Sequence, residues 1–166
     1  QMLQNADAPL NPRREAAQFV AQRMLLRREV EWASTFFTDG LWTGNAAGAD
    51  VAGAIDWNTT GDPLDQIETY KSEMLAKTGY EPNTLVLGRT AFNTLKTNTL
   101  IIDRIKYTSS RIVTTELLAT LFDIDRVLVA NATRNTAAEG ATAAYSFVAQ
   151  PEDALLCYSA PNAGLL

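Results

Sequence analysis

The run Asp62-Pro63-Leu64-Asp65-Gln66-Ile67, followed by Thr78-Gly79-Tyr80-Glu81-Pro82-Asn83-Thr84-Leu85-Val86-Leu87-Gly88, decides how this chain folds. Asp62 before Pro63 is a helix start: the carboxylate caps free N–H groups, and proline has no N–H to waste. Asp65 sits in the first turn, where negative charge suits the helix dipole. Leu64, Ile67, Met74 and Leu75 form the expected buried stripe. Lys71 and Lys77 read as exposed partners of neighbouring Glu residues at i,i+3 or i,i+4 spacing. Thr78-Gly79 ends the helix. Glu81-Pro82-Asn83 turns the chain into a short buried strand at Thr84-Leu85-Val86-Leu87.

Upstream lies a longer helix. Asn11-Pro12 repeats the cap-then-proline start. Ala16, Phe19, Val20, Leu26, Val30, Ala33 and Phe37 then recur at helical spacing, and Gly40 is its expected stop. About 27 residues at 1.5 Å each predict a rod of roughly 40 Å, long for a chain of this size. Between the helices, Gly40-Leu41-Trp42-Thr43-Gly44 and Ala54-Ile55-Asp56-Trp57 read as two short extended segments around a small-residue loop. Trp42 and Trp57 are the large apolar side chains there, and core packing is their expected use ahead of ligand binding.

Downstream, Thr90 to Lys96 and Leu100 to Tyr107 predict short helices, and Thr114 caps another through Leu118 to Phe122. Arg126 to Ala130 predicts a strand. Ala144 to Val148 and Ala154 to Tyr158 predict two more, joined at Pro151. The order is that of an α+β lobe, with no internal repeat and no low-complexity tract.

Composition narrows the functions. The chain has 166 residues, 46% of them hydrophobic, enough for one domain or two closely packed lobes. Its net charge of −5 argues against a dedicated nucleic-acid binder. The charge is uneven. Between Asn11 and Thr38 five Arg oppose three Glu, a balance of +2. Between Asp56 and Glu81 six acids oppose Lys71 and Lys77, a balance of −4. Either these are two ordinary solvated faces, or a basic end and an acidic middle let copies attract one another. The lone Cys157 lies in an apolar run and reads as a small buried hydrophobe. No apolar stretch reaches the length that spans a membrane. Gln1 and the short lead-in before the first helix predict a processed chain or part of a longer one.

The chain has no histidine, which removes the histidine-based triads and the usual neutral-pH base. One cysteine cannot build a thiolate metal site. Gly40, Gly44 and Gly48 fit neither phosphate-binding glycine motif. Asp123-Ile124-Asp125 is the remaining pair of carboxylates for a metal, read as part of a strand. No nucleophile, base and orienting group occur together. No cofactor or metal is expected, and the chain is not read as an enzyme.

Three segments together resemble the tailed-bacteriophage major capsid proteins, with the Hong Kong ninety-seven-like capsid fold. The long Arg-rich helix running into Thr38-Asp39-Gly40-Leu41-Trp42 resembles that family's spine helix and following strand. Trp57 and the run from Asp62 to Gly88 resemble the helix, turn and strand opening the axial domain. Leu100 to Tyr107, Thr114 to Phe122 and Val127 to Ala132 resemble the remaining axial helices and central strand. The resemblance covers most of Asn11 to Ala160. It implies an α+β fold divided as residues 1–61 (N-terminal segment, spine helix and peripheral strands), 62–160 (axial domain) and 161–166 (start of the return to the peripheral domain).

It also implies a structural subunit of an icosahedral phage head. Copies form hexamers and pentamers and enclose double-stranded DNA without specific binding. Scaffold, portal and decoration proteins are its other implied partners. The implied location is the virion capsid, assembled in the host cytoplasm, with no membrane. Arg13, Arg14, Arg27 and Arg28 are the expected inter-subunit contacts, and Trp42 and Trp57 the expected packing anchors. The family's N-terminal arm and extended hairpin are expected to lie outside these residues. Two other readings stay open: an encapsulin-like nanocompartment shell of the same fold, and a small α+β metal-dependent enzyme domain using Asp123 and Asp125.

Overall fold

A computed structural model of the chain describes residues 11–38, 41–42, 57, 61–106 and 112–160. The first helix, α1, spans Pro12–Phe36. The Asn11 side chain accepts the Arg14 N–H at 3.3 Å, as the cap-then-proline start requires. Its end is closed by the Phe37 N–H donating to the Ala33 carbonyl at 2.9 Å. The expected glycine stop at Gly40, the spaced Gly44 and Gly48, and nearly all of the two expected extended segments lie outside the described residues.

The second helix, α2, spans Pro63–Thr78. Asp62 Oδ1 accepts from the N–H groups of Leu64 and Asp65 at 2.9 and 3.4 Å. Gly79 takes a left-handed φ of 74° and donates to the Leu75 carbonyl at 2.8 Å. That conformation is cheap only without a Cβ, so Thr78-Gly79 ends the helix for the reason read from the sequence.

Strand β1 (Thr84–Gly88) is buried along its whole length. Then come α3 (Arg89–Thr97), α4 (Thr99–Ile105), α5 (Thr115–Phe122) and β2 (Arg126–Ala130). Asn98 Oδ1 caps α4 through the N–H groups of Leu100 and Ile101. Thr114 Oγ1 caps α5 through the Leu117 N–H. The helices between β1 and β2 form a crossover, and the two strands run parallel, with Leu85 opposite Val127. A last strand, here β5 (Ala154–Cys157), pairs antiparallel on the other edge of β1, giving the order β2-β1-β5.

Strand alternation makes this sheet two-faced. Leu85 and Leu87 point into a cluster with Ile67, Phe92, Leu95, Ile101, Leu118 and Phe122. Val86 points the other way, into a smaller cluster with Ala33 and Phe37 at the end of α1 and with Ala149. The sheet thus sits between a helical layer and one turn of α1.

Gly88 joins β1 to α3 and has no side chain to cap the helix. Instead, the Thr90 and Ala91 N–H groups donate to the Pro151 carbonyl at 2.8 and 3.0 Å. A Cβ on Gly88 would collide with the Gln150 and Pro151 backbone. The Pro151 turn therefore serves as the N-cap of α3.

Two expectations need correcting, Leu75 in the buried stripe and the two aspartates in a strand, and two further placements go beyond what the sequence indicates. Leu75 does not join the buried stripe of α2; it is 47% exposed, and Lys71 lies buried in line with Ile67 instead. Four residues is one turn of helix, so Lys71 follows Ile67 onto the inner face despite its charge. The first part of α1 buries nothing: Phe19 and Val20 are more than half exposed, and Ala33 is its one fully buried residue. The strands flanking Pro151 belong to different sheets. Strand β4 (Tyr145–Phe147) pairs with β3 (Thr133–Asn135) in a two-stranded ribbon with no buried residue. Three exposed residues show no alternation, which is why β3 is not legible in the sequence. Finally, Asp123 and Asp125 are not in a strand. Asp123 is the left-handed cap of α5, with φ 51°, and β2 begins only at Arg126.

Candidate functional site

Among the described residues two surfaces combine exposed apolar groups with an excess of one sign of charge. The first is α1. Its Arg13, Arg14, Arg27 and Arg28 are all exposed. Among the described residues none of these four guanidiniums forms an ion pair. Leu25, Arg28, Glu29 and Trp32 line a shallow groove along the helix. Phe36 lies one further turn along the same face, and its ring is 6.3 Å from Trp32. Trp42 is 36% exposed; its ring lies 6.5 Å from Phe36 and its indole N–H donates to the Phe36 carbonyl at 3.2 Å. On the other side of the helix, Arg23 stacks over Phe19.

The second surface surrounds Lys71. The residue is 4% exposed, and its ammonium donates to the Phe122 and Asp123 carbonyls at 3.0 and 3.1 Å. These are the last carbonyls of α5, left without helical partners, and they carry the negative end of its dipole. Three carboxylates ring the same ammonium: Glu68 at 3.2 Å, Glu81 at 3.6 Å and Asp123 at 4.0 Å. Their side chains are 53%, 58% and 95% exposed, so one buried positive charge holds three negative charges at the surface. Beside them Leu75 and Tyr80 are exposed, and the Tyr80 ring packs at a tilt of 31° against Tyr158 with ring centroids 5.0 Å apart.

Trp57 occupies a different place from Trp42. It packs against the main core cluster, and its indole N–H donates to Gln66 Oε1 at 2.6 Å. Its carbonyl accepts from the Asn98 side chain, which is buried and also caps α4. One tryptophan thus ties α2 to α4.

Asp123 points to solvent toward Lys71, and no group of three acidic, cysteine or histidine side chains suited to a cation occurs among the described residues. No described helix is long and apolar enough to cross a membrane. Cys157 is half-buried; burial pushes its thiol above the ordinary range, partly offset by the Arg126 charge. The strand carrying it is anchored beyond its end. The Ser159 N–H donates to Asn83 Oδ1 at 2.8 Å, and Asn83 Nδ2 donates back to the Ser159 carbonyl at 2.9 Å.

Among the described residues none of the four arginines meets an acid, and of the two aspartates Asp123 belongs to the Lys71 surface whereas Asp125 does not. The reading of residues missed the Lys71 hub, although its i+4 offset from Ile67 is visible in the sequence. It also missed the Leu75, Tyr80 and Tyr158 patch, because Tyr158 arrives from a strand 78 positions after Tyr80.

No family profile matches the chain, but it is similar to known proteins. A major capsid protein of Burkholderia phage BcepMu is 39% identical over 71 residues, which is 43% of this chain and 23% of that protein. The crystal structure of a phage-related protein from Bordetella bronchiseptica RB50 superposes on 90% of this chain with a TM-score of 0.76 and 27% identity, covering 48% of that protein. The chain therefore spans under a quarter of the first relative and about half of the second. In sequence it is similar to part of a phage major capsid protein, and in fold it is similar to a phage-related protein.

Proposed function

We propose that this chain is part of a phage major capsid subunit of the Hong Kong ninety-seven-like type, a structural protein and not an enzyme. The observation that carries this reading is the 39% identity over 71 residues to the BcepMu major capsid protein. The fold likeness to a phage-related protein over 90% of the chain supports it. In this reading residues 1–61 hold the spine helix and peripheral strands, residues 62–160 form the axial domain and residues 161–166 begin the return. Copies assemble into hexamers and pentamers around double-stranded DNA, in a virion head built in the host cytoplasm.

The physical character of the surface suits a container. A net charge of −5 keeps the subunit from gripping phosphates tightly, since tight binding needs clustered Lys and Arg. A shell needs several interfaces per subunit, each individually weak, because many are made at once. Arg13, Arg14, Arg27 and Arg28, which form no ion pair among the described residues, then serve as contacts to neighbouring subunits. Exposed pairs contribute only about 0–1 kcal/mol each, so they set register more than strength. Trp57 holds the axial helices together, and Trp42 secures the end of α1.

Size-exclusion chromatography with negative-stain imaging of the full-length protein tests the reading. Closed shells of uniform size are expected. A protein that stays monomeric at high concentration with its scaffold partner present sinks it. Shells that carry an enzyme cargo and no DNA would transfer it to the encapsulin-like alternative.

A further inference from the structure

We infer that the Leu25–Trp32–Phe36 side of α1 docks on the Lys71 surface of a second copy of this chain, so that copies join head to tail. The inference rests on the assembly reading above and goes further by naming the two faces.

Leu25, Arg28, Trp32 and Phe36 fall three, four and seven residues apart, which puts them on one side of the helix. Leu25, Trp32 and Phe36 are 65%, 36% and 43% exposed. Large aromatic groups left in water beside a guanidinium are the composition of an interface centre. Arg14, eleven residues before Leu25, falls on this side as well. The two arginines outweigh Glu29, so the side is positive.

The Lys71 surface is its complement. Leu75, Tyr80 and Tyr158 present an exposed apolar centre. Glu68, Glu81 and Asp123 are held around one ammonium, leaving that rim at a net charge of −2. Because Lys71 is buried and bonded to two carbonyls, the carboxylates are positioned before any partner arrives. Opposite charges around two apolar centres steer encounter and fix register.

The two surfaces do not meet within one chain. The end of α1 packs on the Val86 face of the sheet, whereas α2 packs on the Leu85 and Leu87 face. Each copy therefore offers one of each, and the contact between unlike surfaces is heterologous. Such contacts close into rings when the rotation permits.

The test measures assembly of the full-length protein by analytical ultracentrifugation. Arg28→Glu and Glu81→Arg should each weaken association roughly tenfold. Together they should restore it, because the pair is rebuilt in the opposite sense. Thermal melts check folding, and Glu81→Gln, which keeps the side-chain shape, should weaken association in the same direction. Trp32→Ala and Tyr80→Ala should each weaken it in protein that the melts show to be folded, beyond the small loss of their ring contacts with Phe37 and Tyr158. If wild-type shells form and the single reversals leave association unchanged, the inference is overturned while the capsid reading stands. If both reversals weaken it and the double variant does not recover, these faces are not partners and the inference is again overturned. A wild-type protein that never assembles removes the capsid reading, and the inference with it.

Discussion

Helices α1 and α5 make opposite use of the same secondary structure. Helix α1 has 25 residues and buries only Ala33; α5 has 8 and buries Leu118, Ala119 and Phe122. Helix length therefore says nothing about where the stability lies. A turn of helix is held mainly by the apolar area that it removes from water, and most of α1 removes little. What α1 offers instead is charge without an ion-pair partner among the described residues, and exposed aromatic rings. The short helix holds the fold together, and the long one is available for something outside it.

The strongest test of this contrast is Phe122→Ala. The ring is fully buried in the main cluster, so the loss should be about 3–5 kcal/mol. Denaturant unfolding measures it, and a loss under 1 kcal/mol would mean that the helical layer is not the core. Next comes Lys71→Ala. It strips the α5 terminal carbonyls of their donor and leaves three carboxylates facing one another, at a cost of about 1–3 kcal/mol. Calorimetric melting that did not move would show the hub to be replaceable by water. Gly88→Ala should cost a similar amount by forcing the Pro151 turn away from α3.

On the other side of the comparison, Arg13→Ala or Arg27→Ala should change unfolding free energy by less than about 0.5 kcal/mol. Amide hydrogen exchange sharpens the same point: the amides of α1 before Ala33 should exchange well before those of α5, because opening them exposes no core. Equal protection would mean that α1 is covered. The smallest effect concerns Cys157. Its folded thiol holds its proton to higher pH than the unfolded thiol, so the unfolded state loses protons first. Stability should therefore fall slightly as pH rises through and above the ordinary thiol range near 8.5. Alkylation at pH 8 should be slower in the folded protein than in urea.

The tests separate what is local from what is not. Asn11, Asp62, Asn98 and Thr114 all cap helices, and Gly79 closes one, through bonds to residues within four positions. Such features are legible in the sequence because the partners are neighbours along the chain. The α+β class and the strands at β1 and β2 are legible for a related reason: apolar runs bounded by turn residues can be read without knowing the partner strand. The similarity to phage capsid proteins was legible too, as an order of elements.

Residues whose partners arrive from far along the chain behave differently. Lys71 looks like a surface lysine until the end of α5, some fifty residues away, supplies two carbonyls. Gly88 looks like a strand end until the Pro151 turn lies against it. Tyr80 gains its partner from Tyr158. The exposure of the first part of α1 is likewise invisible, since its apolar spacing continues unbroken into Ala33 and Phe37 and only the placement of the sheet decides that those are covered while Phe19 and Val20 are not. The sequence by itself determined the local helix caps, the order of the helices and of the strands β1, β2 and β5, and the α+β class, because these depend on short-range bonds and periodicity. Tertiary structure alone decided which charged group is buried, which aromatic rings face water and which two surfaces carry opposite sign, because those follow from which elements the folded chain brings into contact.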